Sequence, residues 1–245
     1  MYLNIKQLQV VVLIFSAQCM AVMSQGKVPP LVAEEFTANM IQNKFNHNGF
    51  VINHTCAGTY YSSYSQQMIR ADCTVVDLIS NNRSKPSPLT SSVSISLLDF
   101  SKNPPLNTFF EMGNLVNKST CATYEASWLP PMSSTFLRDV NAVYAGTEIT
   151  AEYGPCEKWS FILPELPGTV FTFFFDSFSN IARYDFISLS GSGQGDVGVT
   201  NKFYNVITGD KTLLPATIFS GSGKCQHNST ASSNGMRKSY FWSLY

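Results

Sequence analysis

The chain is 245 residues long, with 13% charged residues, 13% aromatic residues, and 16 Lys and Arg balanced by 16 Asp and Glu. Neither sign is clustered, so the basic stripe that phosphate binding needs is missing and nucleic acid is excluded as a partner. A charged fraction well below the usual quarter, with no Gly/Ser or Pro-rich linker, describes one β-rich domain with a large apolar interior.

Residues 1–24 read as a cleavable export leader. Lys6 precedes the apolar run from Val10 to Phe15, and hydrophobicity then fades through Ala21, Val22, Met23 and Ser24. The run is far shorter than the roughly 20 residues of a membrane span and is broken by Ser16, Gln18 and Cys19. No later stretch qualifies, so no transmembrane segment is expected. Cleavage before Gln25, or alternatively after Ala21, leaves residues 25–245 as a single domain and predicts a secreted protein, with the lysosomal lumen as the alternative address.

A helix is predicted next. Pro29-Pro30 gives a start, Glu34 and Glu35 suit its first turn, and Phe36, Met40, Ile41 and Phe45 form an apolar stripe ending near Asn46–Gly49. Alternation then takes over. Strands are predicted at Phe50–Thr55 and Thr59–Tyr64; at Ile69, Ala71, Cys73, Val75 against Arg70, Asp72, Thr74; and at Val93, Ile95, Leu97 against Ser92, Ser94, Ser96. A second helix is predicted over 134–145, capped by Ser133 or Ser134 and ended by Gly146. Further strands are predicted at Lys158–Leu163, Thr169–Phe175, Ile181–Leu189 and Lys202–Thr208, and the segment from Ser220 to Tyr245 has no assigned place.

In an exported chain the cysteines and asparagines acquire meaning. Cys19 leaves with the leader, so Cys56, Cys73, Cys121, Cys156 and Cys225 are the disulfide candidates, and five is odd. Two intrachain bridges with one free or intermolecular thiol is the simplest arithmetic; the pairing stays open, and so does a disulfide-linked homodimer. No CxxC occurs and His47, His54 and His227 are scattered, so no metal site is expected. Sequons at Asn53, Asn82, Asn117 and Asn228 predict N-glycans on surface loops.

Enzyme signatures are sparse. There is no G-x-S-x-G and no H-E-x-x-H. Gly193 to Gly198 matches GxGxxG, but Val199 to Tyr204 reads as a strand, so no helix N-terminus comes after it to hold a pyrophosphate. Paired acids, Glu148 with Glu152 or Asp176 with Asp185, keep a glycosidase-like secreted hydrolase as a minor reading. The expectation is a protein that is not an enzyme and carries no cofactor.

Two hairpins echo each other. Gly58-Thr59-Tyr60-Tyr61 leads to Ile69-Arg70-Ala71-Asp72, and Gly168-Thr169-Val170-Phe171 leads to Ala182-Arg183-Tyr184-Asp185. Beside the second lies an aromatic face made by Trp159 and Phe161 on one strand and Phe171, Phe173 and Phe175 on the next, with Tyr184 nearby. Such a face serves equally as packed core or as the lining of a groove.

With its leader, Phe36-Thr37-Ala38, the Gly58 to Tyr61 strand, Ile69-Arg70-Ala71-Asp72, Phe175-Asp176 and Arg183-Tyr184-Asp185, the chain resembles the ependymin-related and LolA-like secreted proteins over most of residues 30–210. The resemblance implies a β-rich (α+β) fold: a curved antiparallel half-barrel sheet wrapped around one or two helices, stabilised by disulfides. It also implies an apolar groove holding a lipid or other hydrophobic small molecule, for which Trp159, Phe161, Phe171, Phe173, Phe175 and Tyr184 are the lining candidates. Calcium binding is implied by the resemblance alone, since no D-x-[DN]-x-[DN]-G loop is present. The alternative is an extracellular adhesion or matrix protein whose interior is packed and holds no ligand.

Overall fold

The computed structural model describes residues 26–46, 51–77, 90–113, 119–125, 129–164, 168–188 and 197–220. Eleven strands run through them: β1 (Glu35–Asn46), β2 (Val51–Ser63), β3 (Met68–Asp77), β4 (Thr90–Asp99), β5 (Leu106–Gly113), β6 (Ser119–Glu125), β7 (Val143–Thr150), β8 (Gly154–Ile162), β9 (Thr169–Phe175), β10 (Ile181–Ser188) and β11 (Val197–Gly209). All pair antiparallel in one open sheet of order β6-β5-β4-β3-β2-β1-β11-β10-β9-β8-β7. The first strand is therefore central, with one meander stepping away on each side.

The central strand replaces the helix expected at residues 29–46. Phe36 and Met40 are four apart, a spacing that fits both a helix face and one face of a strand. The intervening Ala38 decides between them: Phe36, Ala38, Met40 and Gln42 are all buried while Asn39 is exposed, a period of two. Hydrogen-bonded neighbours on both sides, β2 and β11, hold the segment extended. The second expected helix shrinks to α1 (Phe136–Asp139), a single turn in which Thr135 at the N-cap makes no side-chain cap. Val143 and Tyr144 already pair with Ser160 and Trp159, and Gly146, at φ +98°, sits in a bulge of β7 rather than at a helix end. Among the described residues, the sheet is thus not wrapped around helices.

Two strips of chain cross the inner face instead. Residues 27–34 lead into β1, and residues 129–142 carry the chain from one edge of the sheet to the other. They are tied together where the Val32 N–H donates to the Ser134 carbonyl at 3.0 Å and the Ser134 N–H donates to Glu34 Oε1 at 2.9 Å. Val32, Leu129, Met132 and Leu137 enter one continuous core with the inner-face side chains of the strands.

Register fixes which side of each strand looks inward. In β4 the alternation is as the sequence reads, but its sense is the reverse of simple hydrophobic expectation: Ser94 and Ser96 are buried, opposite Cys73 and Ala71, while Val93 is 45% exposed. Cys56 and Cys73 form a disulfide between β2 and β3, next to Gly58. A Cβ at Gly58 would lie 1.8 Å from the Asp72 carbonyl oxygen, so the close pairing of these strands requires glycine there. The two Arg-x-Asp echoes occupy matching places, β3 and β10 each standing one strand removed from β1, and in each the arginine Nε bonds the aspartate two residues on.

Candidate functional site

The inner face of the β7–β11 half is an aromatic wall laid out in transverse rows. Strand pairing places Gln42, Asn201, Tyr184, Phe173, Trp159 and Tyr144 opposite one another in sequence across β1, β11, β10, β9, β8 and β7. A parallel row holds Val199, Phe186, Phe171 and Phe161. Cross-strand rings touch at four steps of the two rows: Phe173 to Tyr184 at 5.3 Å, Phe161 to Phe171 at 5.3 Å, Phe171 to Phe186 at 5.8 Å and Tyr144 to Trp159 at 5.4 Å between centroids. Such pairs add about 0.5–1.5 kcal/mol each beyond their buried area.

All six groove candidates, Trp159, Phe161, Phe171, Phe173, Phe175 and Tyr184, meet on this wall and are buried. The crossing strip lies against them, with Phe136 edge-on to Phe161 at 5.4 Å and stacked over Phe173 at 6.3 Å. At the β7 edge, Lys27 sits 4.3 Å over the Tyr144 ring and bonds Glu157, while the Tyr144 hydroxyl meets Thr147 Oγ1 at 2.8 Å. Burial pushes the phenols of Tyr60 and Tyr184 well above their usual range, so both stay protonated at any physiological pH.

Sequence reasoning passes over the polar end of the first row. Gln42 Nε2 donates to Asn201 Oδ1 at 2.8 Å, and both side chains are fully buried. Gln42 Oε1 and Asn201 Nδ2 have no hydrogen-bond partner, nor does Trp159 Nε1 further along the row. The signal is a glutamine continuing the inward series Phe36, Ala38, Met40, and it is visible only once that series is recognised as a strand.

The outer face of the same strands carries an ionic network. Arg183 grips Asp185 through Nε at 3.0 Å and Nη2 at 2.6 Å, and its guanidinium lies 3.9 Å from the Phe174 ring centroid. Glu148 is 3.5 Å from both Lys158 and Arg183, and Glu152 pairs with Lys202 at 2.7 Å. Asp176 Oδ1 accepts the N–H groups of Phe178 and Asn180 in a turn. Each acid considered for hydrolysis thus has a structural partner. Burial holds the Asp185 carboxyl above its ordinary value, with Arg183 pulling the other way. The folded chain therefore keeps a proton that the unfolded chain has released, and stability falls as pH rises from 3.8 to that raised value. Asp185→Asn is expected to flatten this part of the pH–stability curve, as chemical denaturation at a series of pH values would measure.

Among the described cysteines, Cys56 and Cys73 are bonded to each other, Cys121 is also disulfide-bonded, and Cys156 is a free, buried thiol against Phe174, Ala182 and Tyr153. Burial also pushes the Cys156 thiol up. It is expected to resist iodoacetamide in the native protein and to be alkylated once on unfolding, read by mass; labelling of the native state would show the site to be open. A thiol so placed is a poor partner for an intermolecular bridge.

Asn53 lies on β2; Cys225, the sequons at Asn82, Asn117 and Asn228, the leader, the start of the GxGxxG match and the tail from residue 221 lie outside the described residues. Among the described residues no group of three or more His, Cys, Asp or Glu is placed to hold a metal, and no helix is long and apolar enough to cross a membrane.

No protein-family model matches the chain, and no curated protein matches it. Among solved structures it is similar to a DUF1329 family protein from Desulfovibrio piger, with 8% identity, 83% of this chain and 94% of that chain covered, and a TM-score of 0.26. A likeness at that level carries no argument about the role of this chain, for which its own residues are the only guide.

Proposed function

We propose that this chain is an exported glycoprotein that binds a lipid or other hydrophobic molecule against the aromatic inner face of its sheet. The observation that supports this is the pair of transverse rows: rings from four adjacent strands line up across the sheet, giving an unbroken apolar track instead of isolated core residues. Aromatic walls of this kind, with a few convergent polar groups, are the usual lining of sites for small apolar ligands. In this reading the strip 129–142 lies over the track, and Phe136 marks where a bound chain would be held.

The Phe136 contacts also favour a second reading, in which the strip fills the inner face and the protein serves in adhesion or matrix assembly without a ligand. Native mass spectrometry of protein secreted from eukaryotic cells, before and after organic extraction, separates the two. Mass beyond chain and glycans that moves into the organic phase is the expected result. A bare glycoprotein in both samples overturns the carrier reading and leaves the packed one.

A further inference from the structure

We infer that the Gln42–Asn201 pair is the head-group site of this face, and that the ligand is a neutral amphiphile whose polar group offers both a hydrogen-bond donor and an acceptor, as an amide or hydroxyl does. The inference rests on the carrier reading above and specifies its ligand.

Three observations carry it. The pair is fully buried, and one hydrogen bond satisfies only part of its capacity, leaving Gln42 Oε1 as an acceptor and Asn201 Nδ2 as a donor side by side. Exchanging oxygen and nitrogen in both amides reverses the internal bond but leaves the same offer of one acceptor and one donor, so the chemistry does not depend on how the amides are oriented. Orphaned polar atoms in a sheet interior are unfavourable, and a ligand that bonds both removes that penalty.

The second observation is position. The pair begins the row that continues through Tyr184, Phe173 and Trp159 to Tyr144, so a group bonded to it is already aligned with the aromatic track. At about 4.8 Å per strand, Asn201 to Tyr144 spans roughly 19 Å, the reach of a long acyl chain. The third is charge. The row contains no ionised side chain, and the phenol of Tyr184 beside Asn201 is held neutral by burial. Lys44, two residues along β1 and opposite His54, is itself engaged. A carboxylate or phosphate head would enter this row without a counterion, whereas an uncharged amide or hydroxyl would not need one.

The test uses three C18 probes of equal chain length on extracted, secreted protein: N-oleoylethanolamine, oleic acid and 1-octadecene, with binding read by native mass spectrometry. Wild type is expected to prefer N-oleoylethanolamine over octadecene by about tenfold, the scale of one or two net hydrogen bonds. In Gln42→Leu/Asn201→Leu the preference disappears while octadecene binding persists. The exchanged pair Gln42→Asn/Asn201→Gln, which keeps one donor and one acceptor, restores it. Preference for oleic acid, no preference among the heads, or a preference that survives the double leucine variant overturns the inference and leaves the carrier reading standing. If wild type binds none of the three, the carrier reading itself falls. Should the leucine variant not fold, the wild-type ranking of the three heads decides alone.

Discussion

Phe173→Ala is expected to lower the stability of the folded chain by about 3–5 kcal/mol, the upper range for removing a buried ring. Phe173 is fully buried and its ring meets four others: Phe136, Phe161, Phe175 and Tyr184. Its neighbours are held by strand pairing on both sides, so the wall cannot collapse into the space left behind. For a chain of this length each kcal/mol shifts the melting temperature by about 2–4 °C, so a fall of roughly 6–20 °C is expected in a thermal melt. Phe178→Ala supplies the contrast. That ring is 83% exposed in a turn, and its removal should leave the melting temperature within a degree or two of wild type, on the order of the shift expected for a surface change. Equal effects from the two variants would contradict the packing of the wall.

The second large effect is expected from the Cys56–Cys73 bond. It closes a sequence separation of 17 residues and sits within the inner face, with both cysteines buried. Restricting the unfolded chain over a loop of that size is worth about 3 kcal/mol, within a usual range of about 2–4. Cys56→Ala/Cys73→Ala is the right comparison, because a reducing agent would also open the bond made by Cys121. A lower urea midpoint is the expected outcome, with a somewhat steeper slope because the unfolded chain is freed to expand. An unchanged midpoint would mean that this bridge does not constrain the chain in solution.

How legible each segment is in the sequence depends on how strongly it repeats. Thr169–Phe175 is readable to the residue and Ile181–Leu189 to within one, because alternating aromatic and β-branched residues are bounded by Gly168, Asn180 and Asp176. The β1 segment reads as a helix because Phe36 and Met40 satisfy two periods at once, and its strand partner β11 lies far along the chain. Sheet pairing overrides local propensity there. Strands β5, β6 and β7 escape detection for a different reason. Phe109 and Phe110 are adjacent and so fall on opposite faces of β5, and β6 is an edge of small and polar residues, Ser119 to Glu125, with no apolar period to detect. In β7 the bulge at Gly146 breaks the alternation and lends the segment the look of a helix end.

The candidate site divides along the same line. Its aromatic members announce themselves by spacing, and the structure places all six on one wall. Gln42 and Asn201 do not, because a polar residue becomes informative only against a known inward series, and no apolar pattern predicts which two polar residues meet across a sheet. The sense of β4 is hidden similarly: Ser94 and Ser96 face Cys73 and Ala71 because register with β3 puts them there, whatever their polarity.

The place of β1 at the middle of the sheet sets the order in which the protein is made. Strands β2 to β6 can be added to β1 one hairpin at a time as the chain emerges, each pairing with the strand before it. The other edge of β1 waits for β11, since Asn46 pairs with Val197 and Glu35 with Gly209. At the usual pace of synthesis that delay is on the order of ten seconds, during which a half-built sheet presents the open side of its longest-waiting strand. An exposed strand edge flanked by Phe36 and Met40 is a site for pairing with the wrong chain. The step that closes the sheet is therefore the one most dependent on protection during biosynthesis, and the β1–β11 seam is where aggregation during expression should begin.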